Sequence, residues 1–511
     1  MYYPSLDMVE SLATDYNLIP IRLTFMADQE TPINIYQKLQ CNGSFLLESV
    51  EGGTRWGRYS FIGLHPMFTF QSKNGRTTIE YRGGTTVQKD GNPILLLKEA
   101  LAGYHSPKLS EAPRFTGGAV GYFGFDILTY FEDLPVCEED DLQMDDVKFM
   151  FADSVVAFDH LKQEIQVIEH LHIQPEDTLE DIRKKYDECC ARIRKLAHRI
   201  RTSEQRTREL YMIPNEYEPI AVKSNMTREE FMNMVDTAKE YIAAGDVFQV
   251  VLSQRFEIDA PPDPLDVYRV LRSLNPSPYM YYLQFSEDEK LVGASPELLV
   301  RVEDGKVENR PIAGTRKRGK DAEEDQALIE DLLADEKERA EHHMLVDLGR
   351  NDIGRVCDFG SVQVEQLMEV ELYSHVMHIV SHVTGQLQDD KSSFDALVSC
   401  FPAGTVSGAP KLRAMEIIAE LEKTARNAYA GAIGYLSFTG NMDSCITIRT
   451  IIFKNGKAYI QAGAGIVADS IPEKEFEETE NKAKSSIRAI EIARQIQRLE
   501  EDEEHVSSAA K

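Results

Sequence analysis

The order of strand-like and helical segments limits the possible folds of this chain more than any other feature. Short runs rich in β-branched and aromatic residues fill most of the sequence up to His170 and return after Asn225. Helical segments interrupt these runs irregularly, whereas regular alternation would be typical of parallel βαβ units. We therefore predict an α+β fold, in which large, mostly antiparallel β-sheets pack together with helices outside. The strand-like runs of the second half are Phe248–Arg255, Met280–Phe285, Leu291–Val292, Leu298–Val302, Val376–Val383, Ala432–Phe438, Ile446–Phe453 and Ala458–Ala462.

Several helices have defined starts or ends. Apolar residues recur at helical spacing over Thr178–Arg201 and again from Thr227 to a predicted stop at Gly245. Both helices open with threonine followed three residues later by an acidic residue, which is typical of a capping box. Further helices are predicted over Asp335–Leu348 and Lys411–Leu421.

The length of the chain, 511 residues, exceeds what one ordinary core accommodates, so we expect two large domains. The stretch 202–225 is polar and contains two prolines, as domain linkers often do. We place a first domain at 1–215, a second at 216–498 and a disordered acidic tail at 499–511.

Composition excludes several classes of protein. Fifty-six basic against 85 acidic residues give a net charge of −29, which argues against a nucleic-acid or anionic-membrane partner. No apolar run approaches the roughly twenty residues of a membrane helix, and the start of the chain lacks the pattern of a signal peptide. Seven cysteines without pairing-like spacing fit a reduced, cytoplasmic protein. An anionic substrate would need a local cation, and a bound metal is one answer.

The stretch Gln461–Lys482 is the first candidate for chemistry. Glycines at 463 and 465 would let a ligand approach the main chain, and we expect an anion-binding loop there. In a following helix, Glu475, Glu478 and Lys482 would share one face, an arrangement suited to a magnesium-chelated carboxylate substrate. A turn followed by a solvated acidic helix remains an alternative.

Three other features stay ambiguous on their own. The segment Pro402–Lys411 has the spacing of neither a phosphate loop nor a nucleophile elbow, which leaves a loop contacting an anion or a plain turn. On a strand, His378 and His382 share a face while His375 points away, so an acid–base or core histidine is favoured over zinc. Glu297, considered alone, could be a surface charge, as most glutamates are.

Six motifs together resemble one family, the chorismate-utilising enzymes, specifically anthranilate synthase component I. They are PIAGTRKRG, EHHMLVDLGRND, PAGTVSGAPK, CITIRT, QAGAGIVADS and EFEETENKAK. The resemblance covers about 227–488, and weaker matches at LLES (46–49) and at 117–126 extend it into the first half.

The resemblance implies roles for the matching residues. Glu297 would be the general acid that protonates the departing carbon-4 hydroxyl of chorismate, and His378 would serve pyruvate elimination and aromatisation. Glu341 and Glu478 would bind Mg²⁺, which chelates the ring carboxylate. The residues implied in substrate binding are Gly314, Thr315, Thr405, Tyr429, Arg449 (as a carboxylate clamp), Gly463, Ala464, Gly465 and Lys482.

Two positions bear on the nucleophile. Relatives that add water carry a lysine base where this chain has Gln249, and aminodeoxychorismate synthases commonly carry a nucleophilic lysine where it has Ala313. Neither side chain here performs those tasks, so ammonia is the expected nucleophile. An aminodeoxychorismate synthase and a non-catalytic chorismate- or tryptophan-binding regulator are the rival interpretations.

The resemblance also implies partners. No cysteine lies in a G-x-C-x-G elbow, so a separate glutamine amidotransferase subunit would supply ammonia, in an expected heterotetramer with two copies of each subunit. Ser49, Pro278, Tyr279 and Met280 resemble the family's pocket for tryptophan as feedback inhibitor. A strand and a proline-rich turn that merely pack together are the alternative.

Overall fold

The computed structural model describes residues 1–49, 57–203, 218–373 and 376–509, except for the side chains of 502–509. His375 and most of the predicted linker lie outside these residues. Among the helices described, none is both long and apolar enough to cross a membrane.

Within this part of the chain, two sheets contain all the strands. These are β1 (Tyr2–Tyr3), β2 (Leu18–Met26), β3 (Ser44–Glu48), β4 (Tyr59–Gly63), β5 (Phe68–Lys73), β6 (Arg76–Tyr81), β7 (Thr86–Asp90), β8 (Gly118–Phe123), β9 (Val147–Ala152), β10 (Ser154–Asp159), β11 (Glu164–His172), β12 (Lys223–Ser224), β13 (Gln249–Asp259), β14 (Tyr279–Gln284), β15 (Glu289–Ser295), β16 (Leu298–Glu303), β17 (Lys306–Asn309), β18 (Ile312–Lys317), β19 (Gln363–Leu372), β20 (Val376–Gln386), β21 (Gly408–Ala409), β22 (Ala432–Ser437), β23 (Met442–Ile446), β24 (Thr450–Lys454) and β25 (Lys457–Ile466).

The helices cover the outer faces of the sheets. They are α1 (Leu6–Leu12), α2 (Pro32–Leu39), α3 (Pro93–Ala102), α4 (Leu179–Thr202), α5 (Arg228–Ala244), α6 (Pro264–Leu274), α7 (Ala322–Ala334), α8 (Glu336–Gly354), α9 (Ser393–Cys400), α10 (Lys411–Leu421) and α11 (Pro472–Ala509), with 3₁₀ turns at Phe125–Tyr130 and Gly404–Val406.

The strand ladders are antiparallel, which confirms the predicted fold class. The first sheet has the order β1-β2-β11-β10-β4-β3-β14-β15-β24-β25-β13-β12, with β21 also paired to β13. The second has the order β18-β20-β17-β16-β23-β22-β8-β9-β5-β6-β7, with β19 also paired to β20.

Each sheet crosses from one half of the sequence to the other. In the first sheet β3 pairs with β14, and in the second β8 pairs with β22. Between the sheets, Phe115 packs against Phe61 of β4 and Tyr435 of β22, with ring centroids 5.5 and 4.7 Å apart. Such aromatic pairs add about 0.5–1.5 kcal/mol beyond their burial. The two halves therefore share a core, while the division at 215 stays a prediction.

The structure confirms several helix boundaries that were predicted from the sequence. Thr178 and Thr227 form the predicted capping boxes, and Gly245 ends α5 in the left-handed conformation at φ 87°. Helix α10 has the predicted bounds. Helix α11 continues to Ala509, across the stretch predicted as a tail.

One predicted strand is wrong. Ile446–Phe453 is interrupted, because β23 ends at Ile446 and β24 begins at Thr450. Between them Arg449 has φ 52°, a left-handed conformation that costs about 1 kcal/mol or more in a non-glycine residue. The break turns Arg449 towards α11, as described below.

Candidate active site

Glu297 lies on the two-residue connection between β15 and β16. Its side chain is only partly exposed, and Thr405 Oγ1 donates a hydrogen bond of 2.9 Å to Glu297 Oε1. Loss of solvation raises the pKa of Glu297 from 4.5 to about 7, against the opposing effects of the Thr405 hydrogen bond and the positive charge of Lys482. A carboxyl group with a pKa near 7 can donate a proton at neutral pH, whereas a solvated glutamate on the surface would already be ionised.

Thr405 is held by the 3₁₀ turn Gly404–Val406, which lies against α8. A Cβ at Gly404 would lie 2.2 Å from Leu348 Cδ2 of that helix, so any larger residue would require the leucine side chain to move. Lys411, at the start of α10, faces inward: its Nζ lies 3.2 Å from Asp352 Oδ2 and 3.2 Å from the carbonyl oxygen of Cys400. The segment is thus a turn whose lysine is bound within the protein.

The predicted anion-binding loop at Gly463–Gly465 is wrong as a conformation. Gly463, Ala464 and Gly465 lie inside β25, opposite Ser253, Leu252 and Val251 of β13.

The glycines of β25 make room for two predicted site residues. A Cβ at Gly463 would lie 2.8 Å from Tyr429 Oη, and one at Gly465 would lie 2.5 Å from Gln249 Nε2. Burial raises the pKa of Tyr429 to about 12, so its phenol stays protonated. The structure therefore brings Tyr429 and Gln249 together over one strand.

Helix α11 brings a cation to the same strand. Lys482 Nζ lies 2.6 Å from Glu478 Oε1, one turn earlier, and donates a 2.9 Å hydrogen bond to the carbonyl oxygen of Gly463. Arg449 Nη1 in turn donates to the carbonyl oxygen of Lys482 at 2.8 Å.

Arg449 has the properties of an anion-binding residue. Desolvation by burial lowers the pKa of its guanidinium, although Tyr429 and Glu478 oppose the effect. Within the described residues no carboxylate forms an ion pair with it. A desolvated guanidinium without a counter-ion suits a carboxylate ligand.

The two predicted metal ligands, Glu341 and Glu478, are close enough for their charges to interact. Desolvation raises the pKa of Glu341 on α8, and the negative charges of Glu338 and Glu478 raise it further. Desolvation and Glu478 likewise raise the pKa of Glu475. In the described stretches, no group of three or more histidine, cysteine or acidic side chains is arranged to hold a metal by itself. Crowded carboxylates gain from a nearby divalent cation, and Mg²⁺ is commonly held by one or two carboxylates together with substrate.

His378 lies on β20, opposite Thr315 of β18. A bulge at Gly314, with φ 70°, directs the Gly314 carbonyl oxygen to within 2.9 Å of His378 Nδ1, and Thr315 Oγ1 lies 3.1 Å from the same nitrogen. A carbonyl only accepts, so Nδ1 carries the proton of the neutral ring and Nε2 is the basic nitrogen. His382, in contrast, lies between Glu308 and Glu365.

The four residues predicted for an inhibitor pocket line a single cavity. Ser49, Pro278, Tyr279 and Met280 surround it together with apolar and aromatic side chains of β4, β22 and β23. The exposed surface of the cavity is mainly apolar, and charged residues also line it, namely Glu48, Arg114, Arg301 and Asp443. The buried Ser49 Oγ finds no hydrogen-bond partner among the described residues. Met280 pairs with Glu48 across β14 and β3, so the neighbouring strands account for part of the arrangement.

Comparison with known proteins decides the family. Residues 43–488 match the family model described as chorismate binding enzyme. The chain is 52% identical over 499 residues, 97% of its length, to all of anthranilate synthase component 1 from Acetivibrio thermocellus. The chain belongs to the anthranilate synthase component 1 family.

Solved structures agree with this assignment. The anthranilate synthase component I of Streptococcus pneumoniae TIGR4 superposes with a TM-score of 0.74 at 42% identity, over 91% of this chain and 99% of that one. The menaquinone-specific isochorismate synthase of Escherichia coli superposes over 95% of this chain and 98% of its own, with a TM-score of 0.69, but at 19% identity it shares the fold alone. As a member of the anthranilate synthase component 1 family, the chain is a chorismate-utilising enzyme.

The family motifs used for prediction do not include Arg426, which the structure places beside them. Its fully buried guanidinium packs 5.6 Å from the ring centroid of Tyr429. Three-residue spacing from Tyr429 was the one available signal, and it does not reveal a buried charge.

Proposed function

We propose that this chain is the large subunit of an anthranilate synthase. It converts chorismate and ammonia to anthranilate and pyruvate in a Mg²⁺-dependent reaction, the first step of tryptophan biosynthesis. The observation that carries the proposal is the Glu297 carboxyl group, whose pKa of about 7 suits protonation of the departing carbon-4 hydroxyl.

The substrate is a dianion, and the site offers cationic groups in a protein of net charge −29. Arg449 supplies a guanidinium suited to bidentate binding of one carboxylate. Gly463 and Gly465 let the side chains of Tyr429 and Gln249 lie close against β25, where both side chains would contact the ring. Thr315 and Thr405 add hydroxyl groups next to His378 and Glu297.

Ammonia attacks the ring, and the carbon-4 hydroxyl leaves as water once Glu297 has protonated it. Gln249 cannot deprotonate a water molecule, and Ala313 cannot attack the ring, which disfavours hydration and covalent amination. His378 then takes a ring proton at Nε2 as the ring C–O bond breaks, and the ring becomes aromatic. The departing enolpyruvate takes up one proton at its methylene carbon to become pyruvate.

Glu341 and Glu478 are the residues that would hold Mg²⁺. When bound, the ion neutralises the ring carboxylate of chorismate and the crowded glutamates. The raised pKa of Glu341 supports this assignment, because repulsion among carboxylates is what a cation relieves. Lys482, paired with Glu478, helps to orient that carboxylate.

Ammonia comes from a separate glutamine amidotransferase subunit in a heterotetramer, and tryptophan is the feedback inhibitor. The cavity around Ser49 and Met280 has the apolar lining that an indole needs. A chain of contacts joins it to the acid: Tyr279 pairs with Ser295, whose hydroxyl donates a 2.7 Å hydrogen bond to the Ile446 carbonyl oxygen, and the Ile446 N–H donates to the carbonyl oxygen of Glu297.

The test uses the purified chain with chorismate, Mg²⁺ and an ammonium salt at mildly alkaline pH, without any partner. Anthranilate fluorescence that disappears with EDTA is the expected result. Consumption of chorismate without fluorescence would point instead to an aminodeoxychorismate or isochorismate product, to be identified by chromatography. Absence of consumption, alone and with an amidotransferase subunit added, would contradict catalysis.

A further inference from the structure

A charged pair lies completely inside the protein beside the candidate active site. The side chains of Arg426 and Glu422 are 0% and 3% exposed. Arg426 donates from Nη2 to Glu422 Oε1 at 2.6 Å and from Nε to Oε2 at 2.8 Å. Because desolvation offsets much of the attraction in a buried pair, stability alone explains it poorly.

The remaining guanidinium donors reach two backbone segments. Arg426 Nη1 donates to the carbonyl oxygen of Val406 at 2.7 Å, and Nη2 donates to that of Val251 at 2.7 Å. Val406 directly follows Thr405. Val251 lies opposite Gly465 and two residues after Gln249. One planar group therefore joins the 3₁₀ turn to β13.

Its partner extends the network along β13. Glu422 Oε1 accepts hydrogen bonds from the Ser253 backbone N–H at 2.7 Å and from the Ser253 hydroxyl at 2.9 Å. Glu422 is also the C-cap residue of α10, directly after Leu421. On the other side, the carbonyl oxygen of Arg426 accepts from the Tyr429 N–H at 3.0 Å.

We propose that Arg426 is a positioning residue for the amination reaction, acting by clamping the turn that carries Thr405 to the strand that carries Gln249. In this arrangement the Thr405 hydroxyl is kept within hydrogen-bonding distance of Glu297. The inference rests on the proposed function, since it assumes that Glu297 is the acid. Lysine cannot replace the clamp, because an ammonium group lacks the planar fork that spans two carbonyls and a carboxylate.

The clamp predicts a specific effect on the pH profile. The Thr405 hydrogen bond lowers the pKa of Glu297. Releasing the turn removes that effect, so the pKa rises further and the alkaline limb of the rate profile moves to higher pH. A purely structural role would lower the active fraction without moving this limb.

The experiment compares Arg426→Lys with the parent chain, using chorismate, ammonium and Mg²⁺. We expect kcat to fall about 10- to 100-fold, with a smaller change in KM, and the alkaline limb to move to higher pH. Thr405→Val should move the limb in the same direction, and the double variant should move it no further than either single one.

Two further variants separate positioning from folding. Lys148→Arg alters another buried pair, with Glu289 at 2.9 Å, and should affect stability while leaving the limb in place. Arg426→Met combined with Glu422→Gln removes both charges and retains an acceptor for Ser253, so it remains informative if Arg426→Lys does not fold. Its crystal structure should show Thr405 Oγ1 beyond hydrogen-bonding distance of Glu297.

Each failure has its own signature. A parent chain that forms no anthranilate would contradict the proposed function. The crystal structure of the variant with Arg426→Met and Glu422→Gln would still test the clamp. An active parent, together with folded Arg426 variants that keep the wild-type limb and the Thr405–Glu297 contact, would overturn the inference alone.

Discussion

Thr405 Oγ1 and Glu297 Oε1 are 2.9 Å apart, although the residues are separated by 108 positions in the sequence. The hydroxyl stabilises the ionised carboxylate, while desolvation favours the protonated form and is the larger effect. The balance of these effects leaves the pKa of Glu297 at about 7, so near neutral pH the carboxyl group can both hold and release a proton. The rate and the stability of the protein should therefore both depend on pH through this residue.

For the rate, we expect kcat/KM for chorismate to fall as pH rises through an apparent pKa of about 7, because only protonated Glu297 donates a proton. Free ammonia must be kept at constant concentration while anthranilate fluorescence is followed across the pH range. Glu297→Gln should lose most activity together with this limb. A residual rate with the same limb would assign the titration to another group.

For stability, Glu297→Gln should be more resistant to urea than the parent above neutral pH. The pKa of the folded state lies above 4.5, so the carboxyl stabilises the fold below about pH 4.5 and this contribution is lost as pH rises through about 7. Gln keeps an acceptor for Thr405 without a charge, and the expected gain is about 1–3 kcal/mol at alkaline pH and none in acid. Glu480→Gln, at an exposed position, is the control that should show no such pH dependence. Equal unfolding midpoints for Glu297→Gln and its parent at alkaline pH would contradict the prediction.

Local patterns predicted much of the fold. The capping boxes at Thr178 and Thr227 and the bounds of α10 depend on neighbouring residues, which the sequence displays directly. The break at Arg449 could not be predicted in this way, because the surrounding residues favour a strand. Its left-handed conformation is accompanied by a hydrogen bond to the carbonyl of Lys482, which is distant in sequence.

The sequence predicted which residues belong to the site but not how they are arranged in space. Gly463 and Gly465 were predicted in a loop, but they lie in a strand, where the side chains of Tyr429 and Gln249 from other elements occupy the space above them. Arg426 was missed because no local pattern marks a charged side chain that becomes fully buried. Both cases depend on tertiary contacts, which residue type and spacing do not encode.

Removal of either candidate metal ligand should severely weaken or abolish Mg²⁺-dependent turnover. Glu341→Gln and Glu478→Gln each take away one of two carboxylates, so we expect the Mg²⁺ concentration for half-maximal rate to rise at least about tenfold, or activity to be lost. Glu477→Gln is the matched control, because Glu477 is exposed on the same helix and pairs with Arg228 instead. Near-normal Mg²⁺ titration curves for both variants would rule out the assignment.

Replacement of the site histidine should separate the two chemical steps. His378→Met removes the basic Nε2 that the Gly314 hydrogen bond defines, so an aminated, non-aromatic intermediate should accumulate. Chromatography of the products detects it as a species without anthranilate fluorescence. His343→Met changes an exposed histidine on α8 and should yield anthranilate alone. Anthranilate as the sole product of His378→Met would contradict the assigned role.

The inhibitor pocket can be tested without touching the catalytic groups. Ser49→Arg places a large side chain in the cavity, so tryptophan binding should weaken by at least about tenfold because the arginine occupies the space of the ligand. The rate without tryptophan should stay close to that of the parent, since Ser49 lies on the far side of β14 and β15 from Glu297. Ser110→Arg introduces the same charge at an exposed position and serves as the control. Inhibition curves that coincide for the parent and both variants would contradict the prediction that tryptophan binds in this cavity.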